Sequence, residues 1–112
     1  MSDDESAAIQ VFDVQWFMHT IQSVCDHLSW TVVFNVRVRN GLLVTIDTLN
    51  GGPYTFRITA GKHGWFAHID RVRKDAHADA VDGDETVLVL FSMIMRDEVR
   101  HSIAGGIHHV TS

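Results

Sequence analysis

The stretch that decides the fold is residues 31–71, which read TVVFNVRVRNGLLVTIDTLNGGPYTFRITAGKHGWFAHIDR. Within it, four short runs alternate apolar and polar residues, and each gap between runs carries glycine where a turn accepts it. In the first run, Val32, Phe34 and Val36 all fall on even positions. Such alternation puts apolar side chains on one face of a strand and polar side chains on the other. The stretch therefore predicts a four-stranded antiparallel meander with one buried and one open face.

The turns fix an expected register, because paired residues must keep their side chains on the same face of the sheet. A three-residue loop that ends at Gly41, with Gly41 in the left-handed region, preserves the apolar face, whereas a two-residue Asn-Gly hairpin would break it. The later glycine turns give the same result. The predicted cross-strand pairs are Phe34 with Ile46, Ile46 with Phe56, and Phe56 with Ala67.

Two helices flank the predicted sheet. Over residues 14–28 the apolar positions recur every three or four residues, and Asp13 is a suitable N-cap. The second helix is predicted over Glu85–Ile103 and ends at Gly105-Gly106. Between strands and second helix, the linker Arg71–Asp84 is polar, and Arg73–Ala80 could form a short helix. The fold class is therefore α+β, with the order helix, four strands, helix, and both helices packed on one face.

The first half of the second helix, Val87–Met95, has almost no polar side and therefore needs cover all round. It lies under another element, or it is buried between subunits, or its first five residues form a fifth strand. We favour a homodimer, since each copy would then cover the other. The expected interface residues are Val87, Leu90, Phe91, Met93 and Ile94.

Composition bounds the other possibilities. The 112 residues carry nine Lys and Arg and a net charge of −5, with no basic stretch that would bind nucleic acid. The acidic N-terminus lacks the pattern of a signal peptide, and the longest apolar run is too short to cross a membrane. Cys25 is the single cysteine, so no intramolecular disulfide can form. We therefore expect a cytoplasmic protein with an acidic disordered tail (residues 1–7), one domain (8–106) and a C-terminal tail (107–112).

The open face of the sheet offers the candidate binding site. In the predicted register, Asp47 could orient the imidazole of His68, while Arg57 could hold an anion. Cross-strand pairing on a solvated sheet face is the preferred interpretation of the same residues. Exposed apolar groups mixed with arginine favour a contact surface over a catalytic pocket. The candidate binding residues are Arg37, Asp47, Thr55, Arg57, Phe66 and His68.

Eight histidines suggest a metal site, and Glu98 and His101 have the i, i+3 spacing of di-iron bundles. That site needs a second such pair and two further glutamates, whereas the chain has only three glutamates in all. Cys25 falls on the apolar stripe of the first helix, which favours a core residue over a nucleophile. We expect no metal, no cofactor and no catalytic residue.

The sequence thus predicts a small protein-interaction module that acts as a homodimer through its second helix and engages a protein partner. A chaperone, an immunity protein or a phage-type inhibitor would fit, and small secretion-chaperone-like and immunity-type proteins share this general build as an architectural analogy. The alternative is a small-molecule-binding protein or minor enzyme that uses the open face around Asp47, Arg57 and His68.

Overall fold

A five-stranded antiparallel sheet carries two helices on one of its faces. The computed structural model describes residues 13–37 and 41–111. The elements in chain order are α1 (Val14–Leu28), β1 (Thr31–Arg37), β2 (Gly41–Asp47), β3 (Tyr54–Ala60), β4 (Ala67–Arg71), β5 (Ala76–Ala80) and α2 (Gly83–Thr111). The strands follow one another in the sheet in the order β1-β2-β3-β4-β5. The predicted α+β class is therefore confirmed, but the sheet has five strands instead of four.

Helix α1 has the bounds and the cap that its sequence predicts. The Asp13 carboxylate accepts a hydrogen bond from the Trp16 amide at 3.0 Å, which satisfies one of the free N–H groups of the first turn. The helix then buries one line of side chains, Phe17, Ile21 and Cys25, against the sheet. Because these three residues are spaced by four, the sequence pattern correctly predicts the buried face of the helix.

The fifth strand lies in the segment where the sequence suggested a short helix. β5 pairs with β4 so that Ala78 faces Ile69. Its sequence, Ala-His-Ala-Asp-Ala, alternates with a period of two, but alanine favours helices and hides the strand pattern. The alternative in which the first five residues of Val87–Met95 form a fifth strand is wrong, because residues 87–91 are helical.

The cross-strand register differs from the predicted one by an even number of residues in each hairpin. Phe34 pairs with Val44 instead of Ile46, and Ile46 pairs with Tyr54 instead of Phe56. Phe56 pairs with Arg71 instead of Ala67. The β2–β3 and β3–β4 connections are longer than predicted, whereas the turn between β1 and β2 has the predicted length but lies one residue earlier. An even shift leaves the side chains within the strands on their predicted faces. The buried face is accordingly as expected, with these residues fully covered: Leu42, Val44, Ile46, Phe56, Ile58, Ala67 and Ile69.

Helix α2 is longer than predicted. It continues beyond the predicted end at Ile103, through Gly105-Gly106, to Thr111. Glycine lowers helix propensity by only about 1 kcal/mol and does not oblige a helix to end. The predicted acidic tail at residues 1–7 lies outside the described residues. Within the part of the chain that the structure describes, neither helix combines the length and the apolar character that crossing a bilayer requires.

The two edges of the sheet differ in character. β5 is five residues long and carries the charged or polar residues His77 and Asp79. β1 is seven residues long and has no charged residue before Arg37. Two of its valines, Val33 and Val36, are largely exposed. Charges on an edge strand discourage pairing with other chains, and β1 lacks them along most of its length.

The close approach of the backbone at Gly41, at the start of β2, can be tested by comparing a substitution there with one at Gly64, a second glycine with positive φ. The φ of Gly41 is +78°, and an added Cβ would clash with the backbone carbonyl oxygen of Ile58. We expect Gly41→Ala to lower the free energy of unfolding by about 2 kcal/mol or more, measured by urea denaturation. Gly64 also has a positive φ, +91°, but has open space around it, so Gly64→Ala should cost about 1 kcal/mol. Equal losses for the two variants would contradict the close approach at Gly41.

Candidate functional site

The inner face of α2 is held to the sheet by one buried carboxylate, that of Glu98. Its Oε2 atom accepts hydrogen bonds from the hydroxyl of Tyr54 at 2.6 Å, the hydroxyl of Thr48 at 3.0 Å and the amide of Gly51 at 3.0 Å. The Asn50 side-chain amide donates to Oε1 at 3.5 Å. One side chain of the helix therefore fixes the whole β2–β3 connection.

These contacts also set the charge of Glu98. Burial raises the pKa of its carboxyl, but the hydrogen bonds from Tyr54, Gly51, Thr48 and Asn50 outweigh burial and bring the pKa below its ordinary 4.5. The pKa of Tyr54 is raised, first by burial and then by its hydrogen bond to Glu98. At neutral pH the pair is therefore an ionised carboxylate and a neutral phenol that donates to it.

The hydrogen bonds of Glu98 act as one clamp between α2 and the sheet, and a second clamp, between Asp97 and Arg71, lies one residue earlier on the helix. The Asp97 carboxylate and the guanidinium of Arg71, at the end of β4, are 2.8 Å apart. Arg71 also lies over the ring of Tyr54, with its guanidinium carbon 5.0 Å from the ring centroid. The hydrogen bond from Arg71 lowers the pKa of Asp97, against the opposing effect of burial. Together the two clamps fix the rotation of α2 about its own axis.

The opposite face of α2 is apolar and exposed. Inward, the helix buries a line spaced by four residues, from Thr86 through Leu90 and Ile94 to Glu98. Outward, over residues 83–104 of the helix, four large apolar side chains are exposed, and we call them the outer stripe. They are Leu88, Met95, Val99 and Ile103, which are 66%, 46%, 49% and 57% exposed. Exposed apolar residues in one continuous row mark an interaction surface more often than isolated ones do.

Charges on α2 are separated along its length. The first turn carries the acidic residues Asp84 and Glu85. The exposed charged side chains further along the helix are Arg96 and Arg100. The outer stripe thus runs from an acidic end to a basic one.

The residues predicted to form a subunit interface occupy a different face of the helix. Leu90 and Ile94 are fully buried within the single chain, so neither is available to a second copy. Val87, Phe91 and Met93 are half-buried against the same core, with the ring of Phe91 stacked on Trp30 at 6.2 Å. The outer stripe was missed because an unbroken apolar run does not reveal which of its sides faces inward.

The candidate residues of the open face are only partly brought together. Arg57 faces Leu43 and Asp70, and His68 lies diagonally across from it, opposite Thr59. Asp47 pairs with Thr31 beyond the end of the β2–β3 ladder, so it is remote from both.

The other three open-face candidates lie in three separate places. Thr55 exchanges a hydrogen bond with Thr45 at 3.1 Å. Phe66 precedes β4 and is buried in the core instead of pointing outward. Arg37 ends β1, opposite Gly41.

The histidine of this face takes part in cross-strand pairing. His68 Nδ1 lies 2.6 Å from the carboxylate of Asp79 on β5, and its ring centroid is 5.9 Å from that of His77. Among the described residues, no group of three or more His, Cys, Asp or Glu is arranged to hold a metal ion. Cys25 is buried in the core, where burial and the nearby charge of Asp26 raise the pKa of its thiol to about 11. The thiol is therefore protonated at neutral pH and has the properties of a small apolar residue.

Comparison of the chain with protein-family models, with curated proteins and with solved structures finds no match.

Proposed function

We propose that this protein is a small protein-interaction module that works as a homodimer, in which the outer stripes of two α2 helices pack against each other. The observation that carries the proposal is the row of exposed apolar side chains on the face of α2 opposite its buried line. A helix that is apolar on both faces needs a partner on each. The sheet covers the inner face, and a second copy of the chain would cover the outer one.

The spacing along the outer stripe suits helix pairing. Leu88, Ser92, Met95 and Val99 are separated by four, three and four residues, which is the repeat of a coiled-coil seam. Ser92 is exposed and small, so it permits close approach of a second helix near the middle of the seam.

Charge complementarity favours an antiparallel arrangement. A parallel arrangement would place like charges next to each other. The two helix dipoles also oppose each other favourably when the helices are antiparallel.

The apolar area is sufficient for association. Full burial of a large apolar side chain contributes about 1.5–3 kcal/mol, and the dimer would cover eight side chains that are each about half exposed. The sum is on the order of 10 kcal/mol before the loss of translational and rotational freedom is subtracted.

Sedimentation or light scattering of the wild-type and variant chains tests the dimer. We expect a wild-type mass of twice 12.6 kDa at micromolar concentration. Met95→Glu should give a monomer with an unchanged circular dichroism spectrum, because it places a charge in the seam on an already exposed position. Leu49→Glu is the matched control, since Leu49 is 85% exposed and lies in the β2–β3 connection, which meets the inner face of α2 at Glu98 and not the outer stripe. This control should stay dimeric.

A third variant separates the outer face from the core. Leu90 is fully buried, so Leu90→Glu should unfold the chain instead of dissociating a folded dimer. A wild-type monomer at 100 μM would overturn the proposal, and so would a Met95→Glu variant that keeps the wild-type mass.

A further inference from the structure

Cationic side chains gather at one end of the molecule, where the β4–β5 turn meets the second half of α2. Two adjoining clefts of about 330 and 300 Å³ open there, and Lys74 lines both of them. Arg71 and Arg73 line the first cleft, and Arg100 and His101 line the second. We call this pair of clefts the foot cleft.

The foot cleft is basic although the chain as a whole is acidic. Asp97 also lines the second cleft, but its carboxylate is paired with Arg71. Among the described residues, Arg73, Lys74 and Arg100 have no carboxylate within ion-pair distance. Among the described residues, these three cations therefore lie outside any ion pair, in a chain whose net charge is −5. Lys74 and Arg100 are nevertheless close enough to the Asp97 carboxylate to lower its pKa.

The geometry of the foot cleft fits an extended chain that carries several acidic groups. Because the two clefts share Lys74, carboxylates a few residues apart could each reach a separate cationic group. The first cleft also has an apolar wall, formed by Pro53 and Val72, that could contact the methylene groups of glutamate. Arg71 is held in place by Asp97 and Tyr54, so its side chain loses little conformational entropy when a ligand binds.

We propose that the foot cleft binds an acidic peptide segment of a protein partner. This inference rests on the proposed function, because it names the chemistry of the partner that the interaction module recognises. It does not depend on the outer stripe, since the residues of the foot cleft lie toward the sheet side of α2.

Fluorescence anisotropy with fluorescein-labelled hexaglutamate tests the assignment. We expect saturable binding in 20 mM salt and weaker binding in 150 mM salt, because the contacts are ionic. The double variant Lys74→Gln/Arg100→Gln should bind at least about tenfold more weakly, which corresponds to about 1.4 kcal/mol. The control Lys62→Gln/Arg96→Gln removes the same charge from exposed positions that line neither cleft and should bind as the wild type does.

Two results would overturn the proposal. Equal losses in the two double variants would show that net charge alone attracts the peptide. Displacement of hexaglutamate by inorganic phosphate at an equal concentration would assign the cleft to phosphate instead of a peptide. The Met95→Glu variant keeps the two hypotheses separate, because it should bind hexaglutamate normally even though its dimer is lost. If the wild type binds hexaglutamate but is a monomer, only the homodimer proposal is overturned. If the wild type is a dimer but does not bind hexaglutamate, only the foot-cleft proposal is overturned.

Discussion

Glu98→Ala is expected to lower the free energy of unfolding by about 4 kcal/mol, measured by urea denaturation at pH 7. The substitution removes the acceptor of three short hydrogen bonds and leaves the hydroxyls of Tyr54 and Thr48 buried without it. Each unsatisfied buried polar group costs about 1–3 kcal/mol. Glu85→Ala is the matched control on the same helix. Among the described residues, the Glu85 carboxylate accepts a single hydrogen bond, from the Val81 amide, and the residue is only half-buried. The loss of unfolding free energy should therefore stay below about 1 kcal/mol.

The pH dependence of stability provides an independent check on Glu98. Its pKa is depressed in the folded state, so the unfolded chain binds a proton more readily than the folded chain does. The stabilisation is therefore present above the ordinary pKa of 4.5 and is lost as the pH falls through the lower folded value. Asp97, whose pKa is also lowered, contributes in the same direction. In Glu98→Gln the acid-induced loss should be smaller, and an equal loss in both proteins would rule out this role of the carboxylate.

Phe56→Ala is expected to lower the free energy of unfolding by about 3–5 kcal/mol. Phe56 is fully buried at the centre of the sheet, between the pairs that it makes with Val44 on β2 and Arg71 on β4. Removal of a buried aromatic ring loses its transfer free energy and leaves a cavity that the surroundings fill only in part. Thr55→Ala, one residue away on the open face, should cost less than about 1.5 kcal/mol. A loss below 0.5 kcal/mol for Phe56→Ala would contradict the assignment of the buried face.

Some of this architecture is visible in the sequence because it depends on local patterns. Alternation in each run shows which residues of a strand share a face, and it remains correct when the register shifts by an even number. The register itself depends on how long each connection is. Three glycines at residues 41, 51 and 52 mark the turns without showing how many neighbouring residues stay unpaired. The prediction of the faces was therefore correct while the pairs of residues were wrong.

The polar clamps and the outer stripe were harder to predict from the sequence. A glutamate in a helix normally faces solvent, and Glu98 could be recognised as buried only from its place four residues after Ile94. Its donors come from a connection almost fifty residues earlier in the chain, and sequence spacing cannot reveal that contact. The rotation of α2 follows from these clamps. An apolar run such as residues 87–95 therefore predicts burial without showing which side is covered.

The uncharged outer edge of β1 bears on how the protein behaves when it is handled. Within the described residues no strand lies beyond β1 in the sheet. In concentrated or heated samples, the outer backbone groups of residues 31–36 therefore offer a template on which another extended chain can be added. The charged residues of β5 protect the opposite edge, so growth of the sheet would proceed from one side only. Aggregation of this protein is therefore expected to be directional, with β1 buried first in any ordered aggregate. The same edge would need a charged residue in a form of the protein intended for long storage.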